Sequence, residues 1–269
     1  MTAAADLARA DLELIVEAAR EAGELAGALR RRGLEIQYKD GDGSPVTNAD
    51  LAADALLTAR LRAARPDYGW LSEETADDPD RLARQRLFVV DPIDGTRAFL
   101  NDKPWWAVSI AVVEGHRPTA GVVFAPQLEE TYTAAIGDGA TLNGQPIRAS
   151  AATILEGSRI VADPRLFTLA HWPRPWPEMQ VEQRNSTAYR MCLVASGAFD
   201  AAVTLMPKHD WDLAAADLIA SEAGCFVGNH TGAPFVYNGV RPVQANLICA
   251  APGLAPLILE RVSHIAAPT

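Results

Sequence analysis

The segment Asp91-Pro92-Ile93-Asp94-Gly95-Thr96, directly after the apolar run Leu87-Phe88-Val89-Val90, constrains this chain more than any other stretch. A short apolar run that stops at Asp-Pro reads as a buried strand, because Pro92 cannot donate to a sheet ladder and turns the chain. Two carboxylates then stand at the strand's carboxyl edge. Gly95 can take backbone angles closed to other residues, which lets nearby amides and the Thr96 hydroxyl converge on a small anion or a metal-bound water.

Two further acidic stretches accompany it. Leu71-Ser72-Glu73-Glu74 lies upstream, and His209-Asp210-Trp211-Asp212 runs into Leu213-Ala214-Ala215-Ala216 far downstream. Donors of this kind are hard oxygens, which suit magnesium with its octahedral shell and retained waters. Zinc is disfavoured, since the histidines lack His-Glu-x-x-His spacing and Cys192, Cys225 and Cys249 are scattered. Each motif also has a plainer reading. Thr47 to Asp50 fits a Thr-x-x-Asp capping box before Leu51, Ala55 and Leu56; Asp212 fits a helix N-cap for residues 213–223; Glu73-Glu74 fits a solvated loop pair. Strand-end acids around a Pro and a Gly-Thr have no evident packing purpose, so the set together favours chemistry.

With Ser44-Pro45-Val46-Thr47-Asn48-Ala49-Asp50, Leu71 to Glu74, Asp91 to Thr96 and Trp211 to Ala216 in this order, the chain resembles the inositol monophosphatase family. These are magnesium-dependent, lithium-sensitive phosphomonoesterases that include bisphosphate nucleotidases and histidinol phosphatases. The resemblance implies an α/β fold, the layered αβαβα sandwich of the inositol monophosphatase and fructose-1,6-bisphosphatase type, with the metal cluster where two lobes meet. It implies that Glu73, Asp91 and the Ile93 carbonyl hold a first Mg2+ ion, and that Asp91, Asp94 and Asp212 hold a second. Glu73 would orient waters on a weaker third, and Mn2+ would be a substitute. Thr96, bonded to Asp50, would align and deprotonate the attacking water, while the amides of Gly95 and Thr96 grip the phosphate. Attack would be direct and in line, with no phosphoenzyme. Haloacid-dehalogenase phosphatases carry a strand-end Asp-x-Asp-Gly-Thr, but here Pro92 and Ile93 put two residues between the acids and would misplace a general acid. A sensor that only binds phosphate or nucleotide would have lost a metal ligand, and none is lost.

For the substrate, Ser-Pro-Val-Thr-x-Ala-Asp, Leu-Ser-Glu-Glu and the stretch Gly121 to Pro126 before Tyr132 and Gly137-Asp138-Gly139-Ala140 look like the bacterial 3′(2′),5′-bisphosphate nucleotidases. Ungapped counting puts Leu205 where true inositol monophosphatases have an acid for inositol hydroxyls. Arg97-Ala98-Phe99 after the Asp-Gly-Thr resembles histidinol-phosphate phosphatases, so inositol monophosphate and histidinol phosphate remain alternatives. Ala216, Asn185 and Cys225 replace family glycines. Arg184, Asn185, Ser186 and Lys208 are candidate substrate contacts, with Lys208 and Arg184 equally readable as solvated basic residues.

A chain of 269 residues, about half apolar, can bury a large core, and the pattern of turns and strands puts a lobe boundary near Ser150, giving lobes at 1–150 and 151–269. Three irregularly spaced cysteines suggest a reducing cytoplasm. The start lacks a basic n-region and no apolar run approaches a membrane span, so secretion and anchoring are disfavoured. A net charge of −10 argues against a nucleic-acid polymer as partner, and leaves a small phosphorylated substrate. Arg30-Arg31-Arg32 reads as the basic end of a helix. A homodimer is implied by the family, with no interface legible in these residues.

Helical spacing of Leu12, Ile15, Ala19, Ala22, Ala26 and Leu29 predicts a first helix ending near Gly33, and a second is expected over Asn48 to Ala64. Ala107 to Val113 and Gly121 to Ala125 read as antiparallel strands separated by Gly115 and Pro118. Gly137 to Gly139 and Asn143-Gly144 read as turns of a meander, and Ser186 to Ser196 as a helix. Trp105 and Trp106 are expected to pack in the core or rim. Trp172 and Trp176, in a Pro-rich surface stretch, are candidates to touch substrate.

Overall fold

The computed structural model describes residues 3–40, 43–168 and 172–265; Met1, Thr2 and the far end of the second expected lobe lie outside them. Two helices open the chain, α1 (Ala3–Arg32) and α2 (Asn48–Ala64), with a hairpin of β1 (Ile36–Tyr38) and β2 (Pro45–Thr47) between them. Strands β3 (Gly69–Ser72), β4 (Arg86–Asp94), β5 (Ala107–Glu114), β6 (Arg117–Ala125), β7 (Glu130–Ala135), β8 (Ala140–Leu142) and β9 (Gln145–Pro146) then form one sheet in chain order. Its β3–β4 pair is parallel and the rest antiparallel. The short helix α3 (Thr96–Leu100) leaves the end of β4.

A second, five-stranded sheet is built from β10 (Arg159–Val161), β11 (Gln180–Glu182), β12 (Ala201–Thr204), β14 (Phe226–Gly228) and β16 (Leu247–Ala250), in the order β11-β10-β12-β16-β14. Around it run α4 (Arg165–Thr168), α5 (Thr187–Ala195), α6 (Asp210–Glu222), a ribbon of β13 (Lys208–His209) with β15 (Val243–Gln244), and α7 (Ala255–Val262).

Strand alternation sorts the side chains into layers, because successive residues point to opposite faces. On β4, Phe88 and Val90 join Ile15, Ala19 and Ala22 of α1 and Leu57 and Leu61 of α2. Leu87 and Val89 face the other way, into a core shared with Met191 and Val194 of α5 and Leu213 and Ile219 of α6. The far side of α5 and α6 meets Leu247 and Cys249 of β16, while Ile248 and Ala250 turn to Ile258 and Val262 of α7. The layers are therefore helix, sheet, helix, sheet, helix, as the resemblance implied. Helices α5 and α6 are packed on both sides, which explains why residues 191–195 and 213–216 run without a polar face.

Three local expectations change. Strand β4 does not stop at Asp91: its pairing with β5 passes from Asp91↔Ser109 to Asp94↔Ala107, three steps against two, so Pro92 and Ile93 span a bulge. The missing Pro92 donor is tolerated there. Pro118 lies inside β6 rather than in the turn, which is the pair Gly115 and His116, both left-handed at φ 53° and 70°. Trp172 and Trp176 do not line a substrate site. They pack edge to face, centroids 5.4 Å apart, in the core beside α7. Trp105 and Trp106 pack as expected, Trp106 against Phe99 with centroids 4.7 Å apart.

Gly121 decides how closely α6 approaches the large sheet, because a Cβ there would stand 2.8 Å from the Ala215 carbonyl oxygen. Backbone cannot swing aside as a side chain can. Gly121→Ala should therefore cost about 1–3 kcal/mol of stability in urea unfolding. A native midpoint and slope in this variant would mean that α6 is free to back away from the sheet.

Candidate active site

The bulge at the end of β4, the first turn of α5 and the first turn of α6 meet in an open cleft of about 220 Å³. Ser44, Pro45, Glu73, Asp91, Asp94, Gly95, Thr96, Arg97, Asn185, Thr187, Lys208 and Asp212 line it. One oxygen each from Asp91, Asp94 and Asp212 lie within 4.8 Å of one another. Asp91 and Asp94 are buried.

Each acid is held by local structure. Asp91 Oδ1 accepts the Ile93 amide at 3.0 Å across the bulge. Asp94 accepts the Ser186 hydroxyl at 2.5 Å, the Thr187 amide at 3.2 Å and the Ala188 amide at 2.6 Å, so it sits on the N-terminus of α5, where the helix dipole favours negative charge. Asp212 is the third residue of α6 rather than its N-cap; its Oδ2 accepts the His209 amide at 3.0 Å, with Lys208 Nζ 3.8 Å away. Glu73 follows β3 and donates its amide to the Val90 carbonyl at 3.2 Å. Its flanks are fixed by Asp54 of α2, which accepts Ser72 Oγ at 2.5 Å and Thr75 Oγ1 at 2.7 Å.

Glu73 stands outside the tight trio, and Lys39 Nζ from the rim hairpin donates to both Glu73 Oε1 and Glu74 Oε1 at 2.9 Å. Lys39 was not singled out in the sequence. It lies in a stretch without motif, and only folding pairs it with acids more than thirty residues away.

Asp50 serves two purposes at once. Thr47 caps α2, and Asp50 closes the capping box by accepting the Thr47 amide at 2.8 Å and hydroxyl at 2.5 Å through Oδ2. Its other oxygen, Oδ1, lies 3.4 Å from Thr96 Oγ1, which also stands 3.2 Å from the Ile93 carbonyl. Gly95 is left-handed at φ 93°, and a side chain there would press on Ser186. That turn brings Gly95 and Thr96, at the start of α3, to the cleft wall.

The candidate substrate contacts separate. Asn185 and Lys208 line the cleft. Ser186 does not: it is fully buried, caps α5 and donates its hydroxyl to Asp94, so its part is to fix that carboxylate. Arg184 is drawn aside, its guanidinium 4.3 Å from the Trp105 ring centroid and 2.6 Å from Glu182. Arg97, noted in the sequence only for its family resemblance, is a lining residue.

Burial and mutual repulsion raise the acids. Burial, then Glu73, Asp94 and Asp212, push Asp91 well above the carboxylate range. Burial and Asp212 push Asp94 up to about 6, against the pull of Ser186 and the Ala188 amide. Burial raises Glu73 more than Lys39 lowers it, and burial raises Asp50. This all-oxygen donor set fits a hard divalent cation, which would relieve the repulsion.

A family model described as the inositol monophosphatase family matches residues 8–266. The histidinol-phosphatase of Chlorobaculum parvum is 33% identical over 242 residues, covering 88% of this chain and 92% of that protein. The 3′(2′),5′-bisphosphate nucleotidase CysQ of Aggregatibacter actinomycetemcomitans is 30% identical over 239 residues, covering 84% and 87%. The solved structure of a Thermotoga maritima IMPase has a TM-score of 0.81 at 28% identity, covering 94% of this chain and 96% of that one.

An acid whose pKa is raised on folding binds protons better folded than unfolded, so its stabilising contribution is present at low pH and lost as pH rises through the folded value. Asp94 crosses that window near about 6, and Asp91 above the ordinary range acts in the same direction. In EDTA Asp91 and Asp94 should therefore lower the melting temperature as pH rises from about 5 to 8, and Mg2+ should restore more at the higher pH. Equal Mg2+ stabilisation at both pH values would refute this electrostatic account.

Proposed function

The chain belongs to the inositol monophosphatase family and is a phosphatase acting on phosphate monoesters, and from that premise we propose that its substrate is a 3′(2′),5′-bisphosphate nucleotide, adenosine 3′,5′-bisphosphate being hydrolysed to AMP. The observation that carries this reading is the charge of the cleft outside its acids. Arg97, Lys208 and the Asn185 amide line it, and among the described residues its carboxylates are Glu73, Asp91, Asp94 and Asp212. A leaving group with a second phosphate finds cations there. The position expected to carry an acid for inositol hydroxyls is Leu205, which packs into the apolar core beside α7.

The family is metal-dependent, usually through Mg2+, and the oxygens of Asp91, Asp94 and Asp212 are close enough to share a cation. The assignment is two to three Mg2+ ions, or Mn2+ in their place, held by Glu73, Asp91, the Ile93 carbonyl, Asp94 and Asp212. Such ions lower the pKa of the attacking water and offset charge on the phosphoryl group. The chain's own part is positioning and proton transfer. Asp50 Oδ1 draws the Thr96 proton, leaving Thr96 Oγ1 free to accept one from the water. Burial keeps Asp50 basic enough for this role. The amides of Gly95 and Thr96 donate to the phosphoryl oxygens, and Lys208 and Arg97 face the leaving side. Arg184, now over Trp105, would reach a second phosphate only by leaving that ring.

Histidinol phosphate is the second reading. It is supported by the histidinol-phosphatase relative and by His209 stacked flat on Trp211, centroids 4.3 Å apart, next to Asp212. Inositol monophosphate ranks behind both. Lithium inhibition, a cytoplasmic setting and a homodimer complete the proposal; among the described residues no helix is long and apolar enough to cross a membrane.

Turnover of adenosine 3′,5′-bisphosphate, histidinol phosphate and inositol 1-phosphate with Mg2+, with and without Li+, tests the assignment. The bisphosphate should have the highest kcat/KM, and Lys208→Ala should reduce it for that substrate by roughly tenfold or more while barely affecting inositol 1-phosphate. Preference for histidinol phosphate would replace the first reading by the second. Asp212→Asn should lower kcat by at least about 10³-fold on every substrate with an unchanged circular dichroism spectrum, and near-native turnover would sink the metal assignment.

A further inference from the structure

Arg190 lies one turn into α5 and is only 8% exposed, yet among the described residues no carboxylate makes an ion pair with it. Among the described residues the one hydrogen bond of its guanidinium is from Nη2 to Thr187 Oγ1 at 3.1 Å, and its Nε is buried with no partner. A guanidinium enclosed in this way is costly, because burial without an ion pair forfeits hydration and returns nothing. Burial accordingly pulls its pKa below the arginine value, but a guanidinium stays charged near neutral pH.

The surroundings supply the reason for keeping it. The charges acting on Arg190 are those of Asp94, Asp212 and Asp163. Asp163 has a closer cation in Arg165, its Oδ2 lying 2.6 Å from Nη2, and Asp212 has Lys208 at 3.8 Å, whereas among the described residues Asp94 has no ion pair of its own. The link to Asp94 is short: Arg190 bonds Thr187, and the Thr187 amide donates to Asp94 Oδ1. Thr187 lines the cleft and Arg190 stands behind it, so Arg190 touches no substrate-accessible surface of that cleft.

We propose that Arg190 is a positioning residue of the metal site: a fixed internal cation that holds Asp94 and Asp212 together before a metal enters and, by like-charge repulsion, weakens their grip on the divalent ion. Lys39 occupies the comparable place beside Glu73, on the rim hairpin. Lys208 stands 3.8 Å from Asp212, and of these three cations only the arginine is buried within a packed helix. The inference rests on the reading that these acids take a divalent cation.

Calorimetric titration of the metal-free protein with MnCl2 at low ionic strength and about pH 8 separates charge from packing. Arg190→Met keeps the bulk and removes the charge; it should bind Mn2+ roughly tenfold tighter than the native chain and gain more in melting temperature on Mn2+ addition. Arg190→Lys keeps the charge and should bind within about twofold of native. Arg190→Gln, neutral and still able to donate to Thr187, is the companion variant should the methionine protein fail to fold, and tighter binding in it has the same meaning. Unchanged or weaker Mn2+ binding in a folded neutral variant overturns the proposal. Native protein that takes up no Mn2+ sinks the metal assignment instead, a failure read before any variant is made.

Discussion

The contact on which the site depends is the Asp94 carboxylate seated on the N-terminus of α5. Three donors of consecutive residues, the Ser186 hydroxyl and the amides of Thr187 and Ala188, converge on its two oxygens. One partner closes the large sheet's bulged strand, and the other belongs to a helix packed between the two sheets. Remove the carboxylate and three donors at the start of α5 lose their acceptor in a buried place; remove the helix end and a buried acid loses the hydrogen bonds that offset its burial. Asparagine at Asp94 would set an amide against these donors, so Asp212 is the cleaner position at which to delete charge alone.

The same device recurs around the cleft. Asp50 is the third residue of α2 and Asp212 the third of α6, each closing a loop onto the amide three residues before it. Helix N-termini of α2, α5 and α6 thus point at one acidic region, and their partial positive charge favours carboxylates that would otherwise repel. This dissolves the choice posed by the sequence between capping and chemistry. At Asp50 one oxygen caps and the other faces Thr96. A capping aspartate is pinned by local backbone, which is what a catalytic or ligating carboxylate needs.

The legible parts of the fold are those set by local pattern. The spacing of Ile15, Ala19 and Ala22 gives α1, Thr47 caps the start of α2, and Asn143-Gly144 gives the hairpin between β8 and β9. The acids that converge were legible as motifs because their neighbours, Pro92, Gly95 and Trp211, carry strong local constraints. What stayed hidden depends on long-range approach. Lys39 meets Glu73 only when the hairpin folds over β3, Arg97 enters the cleft through the α3 turn, and Ser186 turns from a substrate contact into a prop for Asp94. Arg190 reads in sequence as a charged residue in an apolar helix, and nothing local says that every side of that helix is covered. The tryptophans at 172 and 176 misled for the converse reason: prolines mark a surface path, but the indoles fold back onto α7.

Charge balance ties these observations into one argument. Four carboxylates line the cleft, and burial raises the proton affinity of Glu73, Asp91 and Asp94. Left alone, such a cluster relaxes by protonation or by spreading apart. Here spreading is blocked, because the β4 bulge, the α5 end and the α6 end are each fixed by a packed layer. Lys39 and Arg190 relieve the strain in part, one beside Glu73 and one behind Asp94 and Asp212, and neither satisfies the trio with a close ion pair. A scaffold that holds acids together without fully neutralising them keeps free energy in reserve for the cation that completes the balance. The layered core, remote from any chemistry, is what makes that reserve possible.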